Sequence, residues 1–142
     1  MTTLREQITA RVATVLGNAT PAGANVFRSR EASITRGMTP AIVVMPDNER
    51  DTRMGGGTDR HELTLALEIF TRGDPWDTLA DATAEAAHKV MTTDATIAAL
   101  ALDVRKVSTD YESQEADRTA GTLSARYLIT YLSRSSDLAA QP

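Results

Sequence analysis

Apolar residues recur at helical spacing in the first part of the chain. Five of them share one helical face: Leu4, Ile8, Val12, Val15 and Leu16. Such a stripe is typical of an amphipathic helix that packs on a core. Thr3 followed by Glu6 is a capping-box pattern, and Gly17 is a common residue at a helix end. The pattern predicts a helix over Leu4–Leu16.

Strand patterns follow at five places. Ala41–Met45 is a run of β-branched and other apolar residues, which indicates a buried strand. The clearest alternation of apolar with polar or small residues comes next: Leu63, Leu65, Leu67 and Ile69. Thr122–Arg134 also places its apolar residues on one face, as expected for a strand that covers a core. Shorter strands are predicted over Val26–Arg30 and Ala101–Thr109.

A second helix is predicted from Asp74 to about Met91. Asp74 is a favourable N-cap, and Pro75 suits the first helical position. The predicted buried stripe of this alanine-rich helix is Leu79, Ala82, Thr83, Ala86 and Val90. A further cap at Thr93 or Asp94 predicts a short helical turn that ends near Leu100.

Residues 46–60 show no apolar periodicity and contain three consecutive glycines, so they are predicted to form a long mobile loop. Residues 135–142 are predicted to be a flexible C-terminal tail. The order of the elements is helix, two strands, long loop, strand, helix and two strands. It predicts a single α+β domain over residues 1–142, with an antiparallel or mixed sheet of about four to five strands and two main helices packed on one face.

Composition narrows the possible functions. A chain of 142 residues with 42% hydrophobic and 24% charged residues is typical of one globular domain. The absence of cysteine excludes a disulfide framework and thiolate chemistry. A net charge of −4 gives no electrostatic reason for tight binding to nucleic acid. No apolar run approaches the length that spans a membrane, so we expect no membrane partner. We also expect synthesis in the cytoplasm, because the sequence shows no export signal and no cysteine.

Candidate catalytic groups are few. The only histidines are His61, at the start of a predicted strand, and His88, in the second predicted helix. No serine or carboxylate lies at a sequence spacing that indicates a catalytic triad, so both are interpreted as exposed or half-buried polar residues. The alternative of a small ligand-binding or nucleotide-handling enzyme on an α+β scaffold stays open.

Cofactor and metal sites are not predicted either. Gly55–Gly57 are not followed by the Lys-Ser or Lys-Thr pair of a phosphate-binding loop. Four carboxylates in the predicted loop are a conceivable oxygen cage for calcium: Asp47, Glu49, Asp51 and Asp59. The arginines between them oppose a bound cation, and the EF-hand spacing is missing. The residues therefore predict no catalytic residue, no cofactor and no metal site.

The order and spacing of these elements resemble the tail terminator, or tail-completion, proteins of long-tailed bacteriophages. The resemblance covers almost the whole chain and rests on these pieces: Leu4–Leu16, Val26–Arg28, Pro40–Val44, the long polar loop, Leu63–Ile69, Asp74–Met91, Asp94–Leu100 and Leu123–Leu132. It implies a structural virion protein without enzyme activity. Such proteins form hexameric rings on the head-proximal end of the tail tube and end its polymerisation. The implied partners are further copies of the chain, the tail tube protein and the head–tail connector protein, and the genomic DNA passes through the ring.

Interface residues are predicted in two places. Arg50, Arg53 and Arg60 are expected to make charge-assisted contacts with carboxylates of a neighbouring subunit or of the tail tube. Met54 belongs to the same surface. Trp76, in the first turn of the second helix, is an interface candidate as well, with packing in the core as the alternative. Two other interpretations stay open: an idle solvent-exposed loop, and a different station in the particle, such as a connector, neck or tail tube protein.

Overall fold

The fold is a five-stranded mixed sheet with three helices. The computed structural model describes residues 2–29, 34, 36–114 and 119–142. The helices are α1 (Leu4–Leu16), α2 (Trp76–Thr93) and α3 (Ala95–Leu100), and a 3₁₀ turn covers Arg36–Met38. The strands are β1 (Val26–Arg28), β2 (Ala41–Gly55), β3 (Thr58–Arg72), β4 (Asp103–Ser113) and β5 (Ala120–Arg134). Their order in the sheet is β1-β2-β3-β5-β4, with β1 parallel to β2 and all other pairs antiparallel. The predicted α+β class and single domain are confirmed.

The core lies between one face of the sheet and the helices. We call this face the inner face; it carries the alternating residues of β3, namely Leu63, Leu65, Leu67 and Ile69, all of them at most 1% exposed. Residues of α1 and α2 belong to the same buried cluster. The opposite, outer face has no helix of the described chain packed on it. The prediction that two main helices cover one face is confirmed.

Helix α1 begins as its sequence predicts. The Thr3 hydroxyl accepts a hydrogen bond from the Glu6 backbone N–H at 3.2 Å. The Glu6 carboxylate does not complete the capping box but accepts two hydrogen bonds from the Arg28 guanidinium, at 2.6 and 2.9 Å. These bonds hold the pKa of Glu6 below its ordinary value. The pair fastens α1 to the end of β1.

The predicted details of α2 are partly wrong. The helix begins at Trp76, so Pro75 is at the N-cap and Asp74 lies one position outside it, and no side chain caps this end. The buried stripe consists of Ala80, Thr83, Ala87 and Met91. Of the predicted stripe, Thr83 is buried and Val90 is partly buried against the core, whereas Leu79 is 45% exposed and Ala82 is exposed as well. Leu79 and Met91 lie on different faces of this helix, and the sheet buries the face that contains Met91, which is rotated by one residue from the predicted stripe. The cap of α3 is correctly predicted, because Asp94 accepts a hydrogen bond from the Ile97 N–H at 3.0 Å.

The long loop predicted over residues 46–60 is wrong. Residues 46–55 continue β2, and β3 begins at Thr58. Gly55, Gly56 and Gly57 all have positive φ and form the turn between the two strands. Beyond the globular core, β3 remains paired with β2 on one side and with β5 on the other, down to Thr58 opposite Arg134. We call residues 49–63 the distal hairpin.

The C-terminal segment is held by backbone hydrogen bonds rather than extended into solvent. The Ser135 N–H donates to the Gly57 carbonyl at 2.7 Å, and the Leu4 N–H donates to the Leu138 carbonyl at 2.9 Å. The predicted tail therefore links the turn of the distal hairpin to the start of α1. Arg30 and residues 115–118 of the predicted β4–β5 loop lie outside the described residues. In the described part of the chain, no helix combines the length and hydropathy needed to cross a bilayer.

Candidate assembly interface and the network behind it

Three of the predicted interface residues lie near the end of the distal hairpin, where the register places Arg53 and Arg60 on opposite faces. Arg53 and Met54 precede the glycine turn, and Arg60 follows it on β3. Met54 is 55% exposed, and the Arg53 side chain is 78% exposed. Arg53 approaches the Asp59 carboxylate at 3.7 Å, a surface pair that leaves the guanidinium largely hydrated. The tip thus presents cations and one large apolar side chain to solvent.

Arg50 lies apart from the tip, on the outer face of β2. It is opposite Glu62 in the β2–β3 register. Together with Asn48, Thr64 and Leu128 these two residues line a shallow depression of about 270 Å³. Arg50 is exposed, and β2 lies near one edge of the sheet.

Trp76 is not brought together with the arginines. Its ring packs on Gly121, at the end of β5 farthest from the hairpin turn, and it is part of the partly buried shell of the core. Its ring centroid is 6.4 Å from that of Tyr111, which is exposed on β4. The structure therefore places Trp76 in a packing position, and an interface role for it stays a prediction.

Behind the hairpin tip lies a histidine that the sequence interpretation placed wrongly. His61 is only 2% exposed, because it continues the inner-face alternation of β3 two residues before Leu63. Its Nδ1 lies 2.5 Å from Asp51 Oδ1, and its Nε2 lies 2.7 Å from Ser133 Oγ. Its ring stacks on Tyr131 with centroids 4.6 Å apart. A carboxylate–histidine–serine chain is therefore present, contrary to the prediction, because pairing of β3 with β2 and β5 joins residues distant in sequence.

Glu49 extends this cluster towards α1. Its carboxylate accepts hydrogen bonds from the Tyr131 hydroxyl at 2.5 Å and from the Arg5 guanidinium at 2.8 Å. Burial, followed by the bond to Glu49, raises the pKa of Tyr131, so its hydroxyl stays protonated and donates. The hydrogen bond with His61 lowers the pKa of Asp51. We call these six residues the polar network: Arg5, Glu49, Asp51, His61, Tyr131 and Ser133.

The polar network is better suited to anchoring than to chemistry. Ser133 has no exposed surface, so a substrate cannot reach its Oγ in this arrangement. Possible ligand atoms of Glu49, Asp51 and His61 lie within 4.8 Å of one another, which is a spacing compatible with a metal ion. However, the Arg5 cation already binds one Glu49 oxygen, and a phenol donates to the other. The network ties β2, β3, β5 and α1 together at the base of the hairpin.

Sequence reasoning missed this network because its members lie far apart in the chain. Asp51 is ten positions from His61, and Ser133 is 72 positions from it. One local signal was present: His61 is in phase with Leu63 and Leu65, which predicts an inward direction for its side chain. His88 is exposed, as one of the two predicted alternatives had it, and its Nδ1 lies 2.8 Å from the Tyr127 hydroxyl.

Comparison with known proteins gives the broader role. No curated protein matches the sequence. A chain in a solved structure described as the virion of a native gene transfer agent particle is similar over 92% of both chains, with 13% identity and a TM-score of 0.48, values from which no function follows. The profile of the phage minor tail protein U family matches residues 2–131. That match indicates that the protein is a structural component of a phage tail, located in the virion and assembled with other tail or virion proteins. It also favours a non-enzymatic role. The chain belongs to the phage minor tail protein U family.

Proposed function

We propose that this protein forms a ring, hexameric by resemblance, on the head-proximal end of the phage tail tube. The ring ends tube polymerisation and gives the head–tail connector protein a surface to bind, while the genomic DNA passes through its centre. The family match supports a tail role, and the layout of the elements resembles tail terminators. The single observation that carries the proposal is the exposed tip of the distal hairpin, with Arg53, Met54 and Arg60.

The tip has the chemistry of a binding surface. Arginine and methionine are enriched in the cores of protein interfaces, and a guanidinium forms strong hydrogen bonds with partner carboxylates. The polar network holds the base of the hairpin through His61, and the C-terminal segment holds its turn through the Ser135–Gly57 bond. A braced hairpin loses less conformational entropy on binding than a mobile loop does. We assign the tip to contact with the end subunits of the tail tube.

The test uses charge reversal at the tip in a particle-producing host. Arg53→Glu combined with Arg60→Glu removes the cations without disturbing the core, because both side chains are exposed. Lys89→Glu, on the exposed side of α2, is the matched control for a change of charge alone. We expect tails of irregular, extended length in electron micrographs with the tip variant, and uniform tails with the control.

The same micrographs separate this function from the other stations in the particle. A terminator that is absent leaves over-long tails, whereas absence of a tube subunit leaves no tails. Absence of a connector leaves tails of uniform length that are not joined to heads. Uniform tails from the tip variant, with normal amounts of the variant in the particles, would overturn the assignment of the tip.

A further inference from the structure

Two edges of the sheet are left without a partner strand in the described structure. On β2, the short strand β1 covers only Ile42–Val44, and beyond Val44 no described strand pairs with β2 on that side. On the other side of the molecule, β4 is the last strand and pairs only with β5. Each edge exposes a row of backbone N–H and C=O groups that can extend the sheet.

Natural proteins protect such edges with prolines, bulges and lysines, and here the protection is confined to one half of each strand. On β2, Pro46 and the irregularity between it and Asn48 interrupt the ladder. On β4, Lys106 and a bulge at Val107 do the same. Residues 48–53 and 108–113 remain regular and unprotected over six residues each. We call them the β2 edge segment and the β4 edge segment.

The strand directions allow these two segments to meet in a ring. β2 is antiparallel to β3, β3 to β5 and β5 to β4, so β2 and β4 run in opposite directions. Rotation about a ring axis leaves the direction of each strand relative to that axis unchanged. The β4 edge of one copy can therefore meet the β2 edge of the next copy as an antiparallel pair. Residues 48–53 and 108–113 lie at opposite ends of the sheet, so they come side by side when the strands are steeply inclined to the ring axis, with a stagger of about eight paired positions per subunit. Such a head-to-tail contact uses two different surfaces of the chain, and it forms a closed ring when repeated rotation from one subunit to the next adds up to a full turn.

We infer that the β4 edge segment of one subunit pairs with the β2 edge segment of the next and so joins the subunits of the ring. Several registers keep both sheet faces continuous, and we assign the one that places Arg50 beside Glu112 on the outer face because it pairs opposite charges. Thr52 then lies beside Asp110, which is also within reach of Arg50 on the diagonal. On the outer face, Arg50 of one copy thus meets acidic side chains of the next, while the acidic Glu49 and Asp51 of the β2 edge segment lie on the inner face. This inference rests on the proposed ring, and it names its partner as a second copy of this chain.

Cross-linking tests the pairing directly, because the chain contains no cysteine. Arg50→Cys and Glu112→Cys are combined in one chain and treated with a short bismaleimide in purified tails. Within one subunit Arg50 is level with Asp103, so Glu112 lies three strand spacings away across the sheet and eight paired positions away along it, in total roughly 30 Å, which is more than the reagent spans. We expect a ladder of covalent oligomers up to the full ring. Replacing the first position by Lys89→Cys gives a matched control that should remain monomeric.

Two charge-reversal variants provide a second test, which does not depend on correct folding of the double-cysteine protein. Arg50→Glu alone should reduce the amount of ring recovered with tails, and adding Glu112→Arg should restore it, because the pair is reversed rather than removed. Absence of a ladder from tails that contain the double-cysteine protein, or absence of rescue by the reversed pair, would overturn the edge pairing. Uniformly capped tails in that case would leave the proposed function intact. Conversely, a ladder in concentrated protein that fails to cap tails would overturn the proposed function alone.

Discussion

Replacement of His61 by alanine tests whether the polar network is a structural anchor. The imidazole is 2% exposed and contacts Asp51, Ser133 and Tyr131. Its removal leaves a cavity between β3 and β5 and withdraws one hydrogen-bond partner from each of two side chains. The variant changes no residue of the exposed tip, so it separates anchoring from contact with partners.

The expected cost can be assembled from the contacts. Loss of the buried hydrogen bond to Ser133 costs about 1 kcal/mol. Loss of the bond to Asp51 costs a similar amount and not more, because that carboxylate is 60% exposed and water can hydrate it in the variant. The lost stacking on Tyr131 adds roughly 0.5–1 kcal/mol. The cavity left by a buried ring adds about 1 kcal/mol more. We therefore expect His61→Ala to lower the free energy of unfolding by about 3–4 kcal/mol, or the melting temperature by about 10 °C for a domain of this size.

Urea unfolding monitored by circular dichroism measures this difference, with His88→Ala as the control. His88 is exposed, and water can replace its bond to the Tyr127 hydroxyl, so its loss should cost less than about 1 kcal/mol. A His61 variant within about 1 kcal/mol of the wild type would refute the anchoring role.

The pH dependence of the stability difference between the wild type and His61→Ala provides a second check. Because the pKa of Asp51 is lowered in the fold, its contribution is present above the ordinary value of 3.8 and lost as the pH falls through the lowered value. The difference between the wild type and the variant should narrow over that range.

Two further predictions concern other parts of the fold. Gly121→Ala places a Cβ against the Trp76 ring, so it should lower the free energy of unfolding by about 1–3 kcal/mol. Gly37→Ala is the control, because its added Cβ meets open space. Equal melting temperatures of the two variants would contradict the packing of Trp76 on Gly121. Asp94→Asn removes the carboxylate whose pKa is lowered by hydrogen bonds from the Arg11 guanidinium. The wild type should therefore be more stable than this variant at pH 7, and the advantage should disappear as the pH falls below 3.8 and through the lowered pKa; an advantage that persists in acid would show that the charge is not its source.

The sequence was a good guide wherever burial depends on apolar residues at regular spacing. The alternation from Leu63 to Ile69 and the stripe of α1 predicted the core, the α+β class and the two covering helices. It failed where a strand is built around polar contacts. In the distal hairpin the inner-face positions of β2 are Glu49 and Asp51, and the outer-face positions face solvent. No apolar alternation is therefore available to reveal the strand.

The sequence allowed the exposed charged residues of the candidate site to be predicted, but not the contacts between its buried side chains. The exposed charges at Arg53 and Arg60 could be recognised because solvated residues need no partner to be identified. The polar network could not, since its bonds depend on the β2–β3 and β3–β5 registers. Those registers are set by the whole sheet rather than by any local pattern. For α2 the predicted buried face was rotated by one residue, because its large apolar residues lie on more than one face and only the packed structure shows that Met91 rather than Leu79 is buried.

The placement of Trp76 gives the protein a built-in optical probe. It is the only tryptophan in the chain, and it lies at Gly121, near the end of β5 opposite the hairpin turn. Along β3, the register from Thr71 to Thr58 spans 13 residues, which is roughly 40 Å at strand rise. Its emission therefore reports on the junction of α2 with the sheet and not on events at the tip. If the fluorescence transition on heating coincides with the loss of circular dichroism, the two ends of the sheet unfold as one cooperative unit.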